Sequence, residues 1–375
     1  MLFDSLAFLV AFPIFAALFL YAPARLQPPL ALLGSLAACV SFGWVTCAWL
    51  IVLTVLAFFL GQSLGRRSSG ARLAGALLAV LAPLLVLKYT NFALTSAQAA
   101  GAWLGIALQV PHLYAVLPVG ISFYTFVAAA YLIDIHLERV APQTNLTRFA
   151  LLTAFYPKFV AGPIERAGRF LPQVEAPKRF DYARIVDGIR IVGSGLFKKL
   201  VVADRLAIVV DGVYANPTDY RGVALVLTSV LYMFQLYYDF CGYSEIAVGT
   251  ARILGYELTW NFNRPYAARS ISDYWRRWHI SLTSWLFDYV FAPTAAALRS
   301  WKSGAVVSGL MCAFLVSGLW HGAKWTFVLY GAMHGVALCI EYLTARPRKR
   351  LKQWVPARLY AVLAWMLIFG FVASV

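Results

Sequence analysis

Acidic side chains are scarce in this chain: 16 Asp and Glu stand against 32 Lys and Arg in 375 residues, and charged residues together make up only 13%. Soluble domains carry about 25% charged residues, so a soluble globular protein is excluded. Cysteine is also sparse. The five (Cys39, Cys47, Cys241, Cys312 and Cys339) show no Cys-x-x-Cys spacing and sit in or beside apolar runs, so neither a zinc site nor a disulfide framework is indicated and they read as small buried residues. No internal repeat or low-complexity segment interrupts the sequence.

In place of charge there is hydrophobicity, at 61% of residues, with 15% aromatics. Apolar runs of roughly 17 to 22 residues recur, which is the length of a bilayer-crossing helix. They are continuous rather than alternating, which disfavours a β-barrel. The expected fold is all-α, a polytopic transmembrane bundle forming one integral domain over residues 1–375. About ten spans are expected, near residues 5–21, 30–42, 45–62, 73–89, 114–134, 188–213, 223–240, 304–319, 325–343 and 355–375. The second and third form a tight hairpin turning at Ser41-Phe-Gly-Trp44.

A net charge of +16 in a soluble protein would suggest nucleic acid. Here the positive-inside rule accounts for it, so no nucleic-acid partner is expected and the bilayer is the first partner. An external N-terminus leaves only Arg221 and Lys324 in external segments. The segment 188–213 carries Arg190, Lys198, Lys199 and Arg205 and fits partly along the interface. Residues 91–112 carry no charge and read as an external loop. Ala22-Pro-Ala24 matches a signal-peptidase site, but Met1 to Asp4 carries no Lys or Arg, so a retained first span is expected.

Two cytoplasmic stretches, 155–173 and 260–293, are too rich in aromatics and prolines for plain linkers. Both read as re-entrant or interfacial structure, which is stable at membrane depth only when surrounded by protein or a water-filled cavity. In the second, Ser270-Ile-Ser-Asp273 is a capping-box signal for a helix start. A helical period places Ile271, Trp275, Trp278, Leu282, Leu286 and Tyr289 on one face and Asp273, Arg277, Ser284 and Asp288 on the other. His279 falls at the edge of the apolar face. An aromatic anchor helix with an incidental histidine explains this pattern equally well.

The stretch from Leu319 to Gly335 places His321, Gly322 and Lys324 between apolar runs. An ionisable group within such a block is a functional-site hypothesis by default. The structural alternative is a short turn between two spans, with Trp320 and Trp325 as interfacial anchors.

Several blocks taken together are far more specific. They are Leu117-Pro-Val-Gly-Ile-Ser-Phe-Tyr-Thr-Phe126 with Tyr131-Leu-Ile-Asp134, Phe155-Tyr-Pro-Lys-Phe-Val-Ala-Gly-Pro-Ile164, Gly195-Leu-Phe-Lys-Lys199 with Ala203-Asp-Arg205, Asp239-Phe-Cys-Gly-Tyr-Ser244, Asn261-Phe-Asn-Arg-Pro-Tyr266, Asp273-Tyr-Trp-Arg-Arg-Trp-His-Ile-Ser-Leu282 and Trp320-His-Gly-Ala323. In this order the chain resembles the membrane-bound O-acyltransferase superfamily, within it the branch of alginate O-acetyltransferases and related envelope-polysaccharide acetylases. The resemblance implies a helical bundle pierced by a funnel with two histidines near its centre. His321 matches the catalytic histidine, expected to act as general base, and His279 matches the second.

Asp239, Tyr243, Asn263 and Trp278 are candidate substrate-binding residues, while His112, His136 and His334 read as structural. No tightly bound cofactor or metal is implied. The donor is expected to be a thioester, acyl-CoA or an acyl carrier. The acceptor is a polysaccharide hydroxyl or an extracytoplasmic acyltransferase partner, and the location a bacterial cytoplasmic membrane. Residues 290–297 replace the family's usual Tyr-Ile-Pro-Leu-Gly-Gly loop, and Cys241 and Glu245 replace a more typical Ser and Asp. The end at Val375, inside an apolar run, suggests a shortened C-terminus. Two rival functions are D-alanyl transfer to teichoic acid and transport of an acyl donor or glycan. The Trp-Arg-Arg-Trp-His block favours polysaccharide acylation over the first. A pure transporter needs no proton-transfer pair, and the chain lacks visible repeat symmetry.

Overall fold

A computed structural model describes Phe3 and residues 5–375, so part of the N-terminal stretch read above, namely Met1, Leu2 and Asp4, lies outside the described residues. The described residues form helices and no strand. Among the described residues six helices are long and apolar enough to cross a membrane, and shorter apolar ones accompany them. The chain divides into two compact units, residues 1–190 with 247–258, and residues 191–246 with 259–375.

The first unit opens with α1 (Leu6–Tyr21), α2 (Gln27–Val40), α3 (Trp44–Arg66) and α4 (Gly70–Trp103). The α2–α3 hairpin turns where expected, with Gly43 at φ +107°, a conformation that side chains with a Cβ avoid. In α4 the structure corrects the loop expected over 91–112, because the helix runs on to Trp103 before the chain leaves it. Its 34 residues at roughly 1.5 Å each make about 51 Å, against about 30 Å of hydrocarbon. Lack of charge marked a segment beyond the headgroups, but Ala, Thr, Ser and Gln there are compatible with continued helix.

Then come α5 (Ile121–His136), α6 (Leu146–Ala154), α7 (Tyr156–Phe159) and α8 (Ala167–Glu175). The stretch around α7 is enclosed by protein: Tyr156, Pro157, Lys158 and Phe159 are all buried. The Tyr156 N–H donates to Ser35 Oγ at 3.0 Å. Lys158 donates to the Leu152 carbonyl and lies 4.5 Å from the Phe170 ring; burial pushes its amine down to about 7, opposed by Glu165.

The unit boundary falls within α9 (Tyr182–Leu196) and within α11 (Val223–Ile253), with α10 (Asp204–Ala215) between them. The charged segment 188–213 is not one apolar helix, since a π-helical stretch at Phe197–Ala203 separates α9 from α10. The second unit continues through α12 (Ile271–Trp275), α13 (Ile280–Leu286), α14 (Ala292–Ala297), α15 (Ser303–His321), α16 (Trp325–Leu343), α17 (Ala345–Trp354) and α18 (Ala357–Ser374). The α15–α16 pair is joined by only residues 322–324. It packs backbone to backbone: a Cβ on Gly318 would collide with the Phe327 carbonyl, and one on Gly331 with the Phe314 carbonyl.

Candidate active site

His321 is the last residue of α15. The short turn after it is the one anticipated, but the two tryptophans differ: Trp325 is 65% exposed and suits an interfacial anchor, whereas Trp320 is buried. The close α15–α16 approach brings α16 side chains to His321. Tyr330 meets its ring edge to face at 5.6 Å, and on its other side Tyr330 lies 4.7 Å from His334.

The second histidine arrives by a different device. The Ser270 cap forms, its Oγ accepting the Asp273 N–H at 3.1 Å, and of the expected apolar face Ile271, Trp275, Trp278, Leu282 and Leu286 are buried while Tyr289 is only half-buried. One continuous helix does not form. The chain breaks after α12, and His279 takes a left-handed conformation, φ 44°, ψ 53°, before α13 begins. Such a backbone costs a β-substituted residue about 1 kcal/mol or more. The break carries His279 from the edge of the apolar face to complete burial, at 0% exposure.

Two bonds from Asn261 hold this corner. Its backbone carbonyl accepts the Ile280 N–H at 3.0 Å, and its side-chain Oδ1 accepts the Ser281 N–H at 3.2 Å. Asn261 therefore satisfies the N-terminus of α13, a task that an N-cap side chain normally performs. The imidazole of His279 makes no such cap. It packs instead edge to face on Phe240 at 4.7 Å and lies 5.5 Å from the Trp320 ring. Both of its ring nitrogens are buried without a hydrogen-bond partner among the described residues. Burial, and secondarily the neighbouring His321, hold this imidazole well below the ordinary histidine range. It is thus neutral at pH 7, as a proton acceptor or a neutral donor must be.

Further contacts fix α12 against α16. The Trp275 indole N–H donates to His334 Nδ1 at 3.3 Å, which leaves the neutral imidazole protonated at Nε2. At the other end of α12, the Glu341 carboxylate accepts the Ser272 N–H at 3.1 Å and the Ser272 hydroxyl at 2.6 Å. Trp278 stacks 5.7 Å from Tyr274 and meets Phe262 edge to face at 5.1 Å.

The structure brings His279, Trp320 and His321 together and disperses some of the other candidates. Asp239 pairs with Lys199 at 2.6 Å, and Lys199 also holds Asp204 at 2.8 Å. Tyr243 is half-buried on α11. Asn263 is exposed, with its N–H on the Arg277 carbonyl at 2.9 Å. The buried asparagine is Asn261, two residues earlier, and its neighbourhood to His279 had no signal in helical periodicity. His334, read as structural, is buried between Trp275 and Tyr330. Arg277 pairs with Asp273 at 2.9 Å, and the Arg276 side chain is 69% exposed.

Two histidines, His279 fully buried and His321 half-buried, thus stand in an aromatic surround within a multi-pass helical membrane protein. Comparison with known proteins specifies the class further. The family model for the membrane-bound O-acyltransferase family matches residues 137–374. A protein named as a probable alginate O-acetylase from Azotobacter vinelandii is 34% identical over 383 residues, covering 98% of this chain and 74% of the relative. One of the same name from Pseudomonas syringae pv. tomato is 34% identical, with 98% and 72% covered. A peptidoglycan O-acetyltransferase from Helicobacter pylori is 34% identical over 76% of this chain and 57% of its own length. The chain belongs to the membrane-bound O-acyltransferase family and is a multi-pass integral membrane enzyme that transfers acyl groups to oxygen.

Proposed function

We propose that this enzyme moves an acetyl or other short acyl group from a thioester donor to a hydroxyl of an envelope or extracellular polysaccharide, either directly or by way of an extracytoplasmic acyltransferase partner. A hydroxyl at neutral pH is a poor nucleophile, and an imidazole within reach can take its proton as it attacks the acyl carbonyl. His321 is that base. His279 orients the acceptor or steadies charge on the acyl oxygen. The new C–O bond forms first to give a tetrahedral intermediate, the C–S bond then breaks to leave the ester, and the proton taken by His321 passes to the leaving thiolate. The observation that carries the reading is the burial of His279 beside Trp320, the residue that precedes His321. It is supported by similarity to polysaccharide O-acetylating relatives over nearly the whole chain.

By the positive-inside rule the basic segments face the cytoplasm and the N-terminus lies outside, and the bacterial relatives favour a bacterial cytoplasmic membrane. Asp239, Tyr243, Asn263 and Trp278 belong to the route taken by substrate rather than to the proton-transfer step. Mass analysis of envelope glycans from cells with and without the gene tests the reading. Loss of ester-linked acetyl groups from a polysaccharide supports it. Loss of D-alanyl esters from teichoic acid, or unchanged glycans, overturns it.

A further inference from the structure

Asn261 is bonded through its oxygens and unmet at its amide nitrogen. Its backbone carbonyl and side-chain Oδ1 are committed to the N–H groups of Ile280 and Ser281. Because a backbone N–H must be met by an acceptor, the Ser281 bond fixes the amide orientation: oxygen toward α13, Nδ2 away from it. The residue is 1% exposed, and Nδ2 has no hydrogen-bond partner among the described residues. A buried amide donor without an acceptor is unfavourable, and native structures leave few of them. Asn261 bonds the backbone N–H groups of the two residues that follow His279, whose own two ring nitrogens are also unmet among the described residues.

Acyl transfer creates the acceptor that this donor lacks. As the acceptor hydroxyl attacks, the carbonyl oxygen of the donor gathers negative charge, and a fixed amide N–H aimed at that oxygen stabilises the tetrahedral state more than the ground state. On the basis of the acyl-transfer reading, we infer that the Asn261 side-chain amide is an oxyanion donor of this enzyme, held in place by the same residue's bonds to α13. Its Nδ2–H hydrogen-bonds the acyl oxygen while His321 takes the acceptor's proton, and the bond to sulfur then breaks with the thiolate reclaiming that proton.

Asn261→Asp separates the two tasks. The carboxylate keeps an acceptor for the Ser281 N–H but offers the acyl oxygen no N–H. Burying the ionised carboxylate costs stability, so melting temperature should fall, while the protein that is extracted folded should lose kcat roughly 10²- to 10³-fold at pH values where the carboxyl is ionised, with KM for the thioester little changed. Asn261→Ala removes both functions and should lose thermal stability as well as turnover. Turnover of Asn261→Asp within about twofold of wild type overturns the inference. A structure of the wild-type enzyme with a non-transferable ketone analogue of an acetyl thioester gives a second test that does not depend on variant folding. A ketone oxygen within about 3.2 Å of Nδ2 supports the inference, and one bonded elsewhere overturns it. Wild-type turnover in the same membranes tests the acyl-transfer reading separately, since its absence defeats that reading whatever Asn261 does.

Discussion

The ring of His279 lies 5.5 Å from the indole of Trp320, so a residue of the loop after α12 is seated against the last turn of α15. This contact places His279 beside His321 although 41 residues separate them in sequence. His279→Ala should lower acyl transfer strongly at unchanged protein level, measured as acyl groups incorporated per unit of extracted protein. Activity within about twofold of wild type, only roughly 0.4 kcal/mol of barrier, would mean that His279 merely fills space.

His279 also gives the fold a pH dependence whose sign follows from its environment. Its imidazole is held well below the ordinary range by burial and then by His321, whereas in the unfolded chain it titrates near 6.5. Between those values the unfolded chain binds a proton that the folded protein does not, so stability falls as pH drops below about 6.5. Wild type extracted in detergent should melt at lower temperature at pH 5 than at pH 7, and His279→Gln should show a smaller drop. Equal drops in both would remove His279 as the source.

Much of this arrangement was legible in the sequence because hydrophobic patterning survives small changes of backbone. The apolar face of Ile271, Trp275, Trp278, Leu282 and Leu286 is buried although the helix predicted to carry it is broken at His279. The break was not legible. A left-handed histidine is disfavoured locally and is held by Asn261, and a side-chain bond across 20 residues leaves no trace in periodicity. Which asparagine of the Asn261-Phe-Asn263 motif is buried was not legible either, because only packing decides it. The Ser41–Trp44 turn was legible because Gly43 meets a local backbone requirement.

The α15–α16 pair predicts a steric effect independent of chemistry. Gly318→Ala places a methyl group against the Phe327 carbonyl of the facing helix, and overpacking of this kind costs roughly 1–3 kcal/mol. Extracted protein should melt several degrees lower. Gly212→Ala on α10 has open space around its Cβ and should be neutral or slightly stabilising. Equal melting temperatures for wild type and Gly318→Ala would contradict the close packing.

Orientation in the membrane is testable with reporters. A fusion after Arg350, in the basic helix α17, should report a cytoplasmic location, and an insertion after Gly105, beyond the end of α4, an external one. Labelling of an engineered cysteine at Arg350 from outside intact cells would reverse the proposed topology.

The general-base role of His321 carries the account, and it is tested most directly by comparing turnover of His321→Gln and His321→Ala with wild type at equal amounts of membrane-extracted protein. A general base contributes roughly 10²- to 10⁴-fold, or about 3 to 5 kcal/mol of barrier. Glutamine can keep a hydrogen bond to the acceptor hydroxyl but cannot take its proton near pH 7. Both variants should therefore be folded, inserted and almost inactive, to a similar degree. Near-normal turnover in His321→Gln would contradict the base assignment, and a loss of activity that only tracks lost protein in both variants would reduce His321 to a structural residue of the α15–α16 turn.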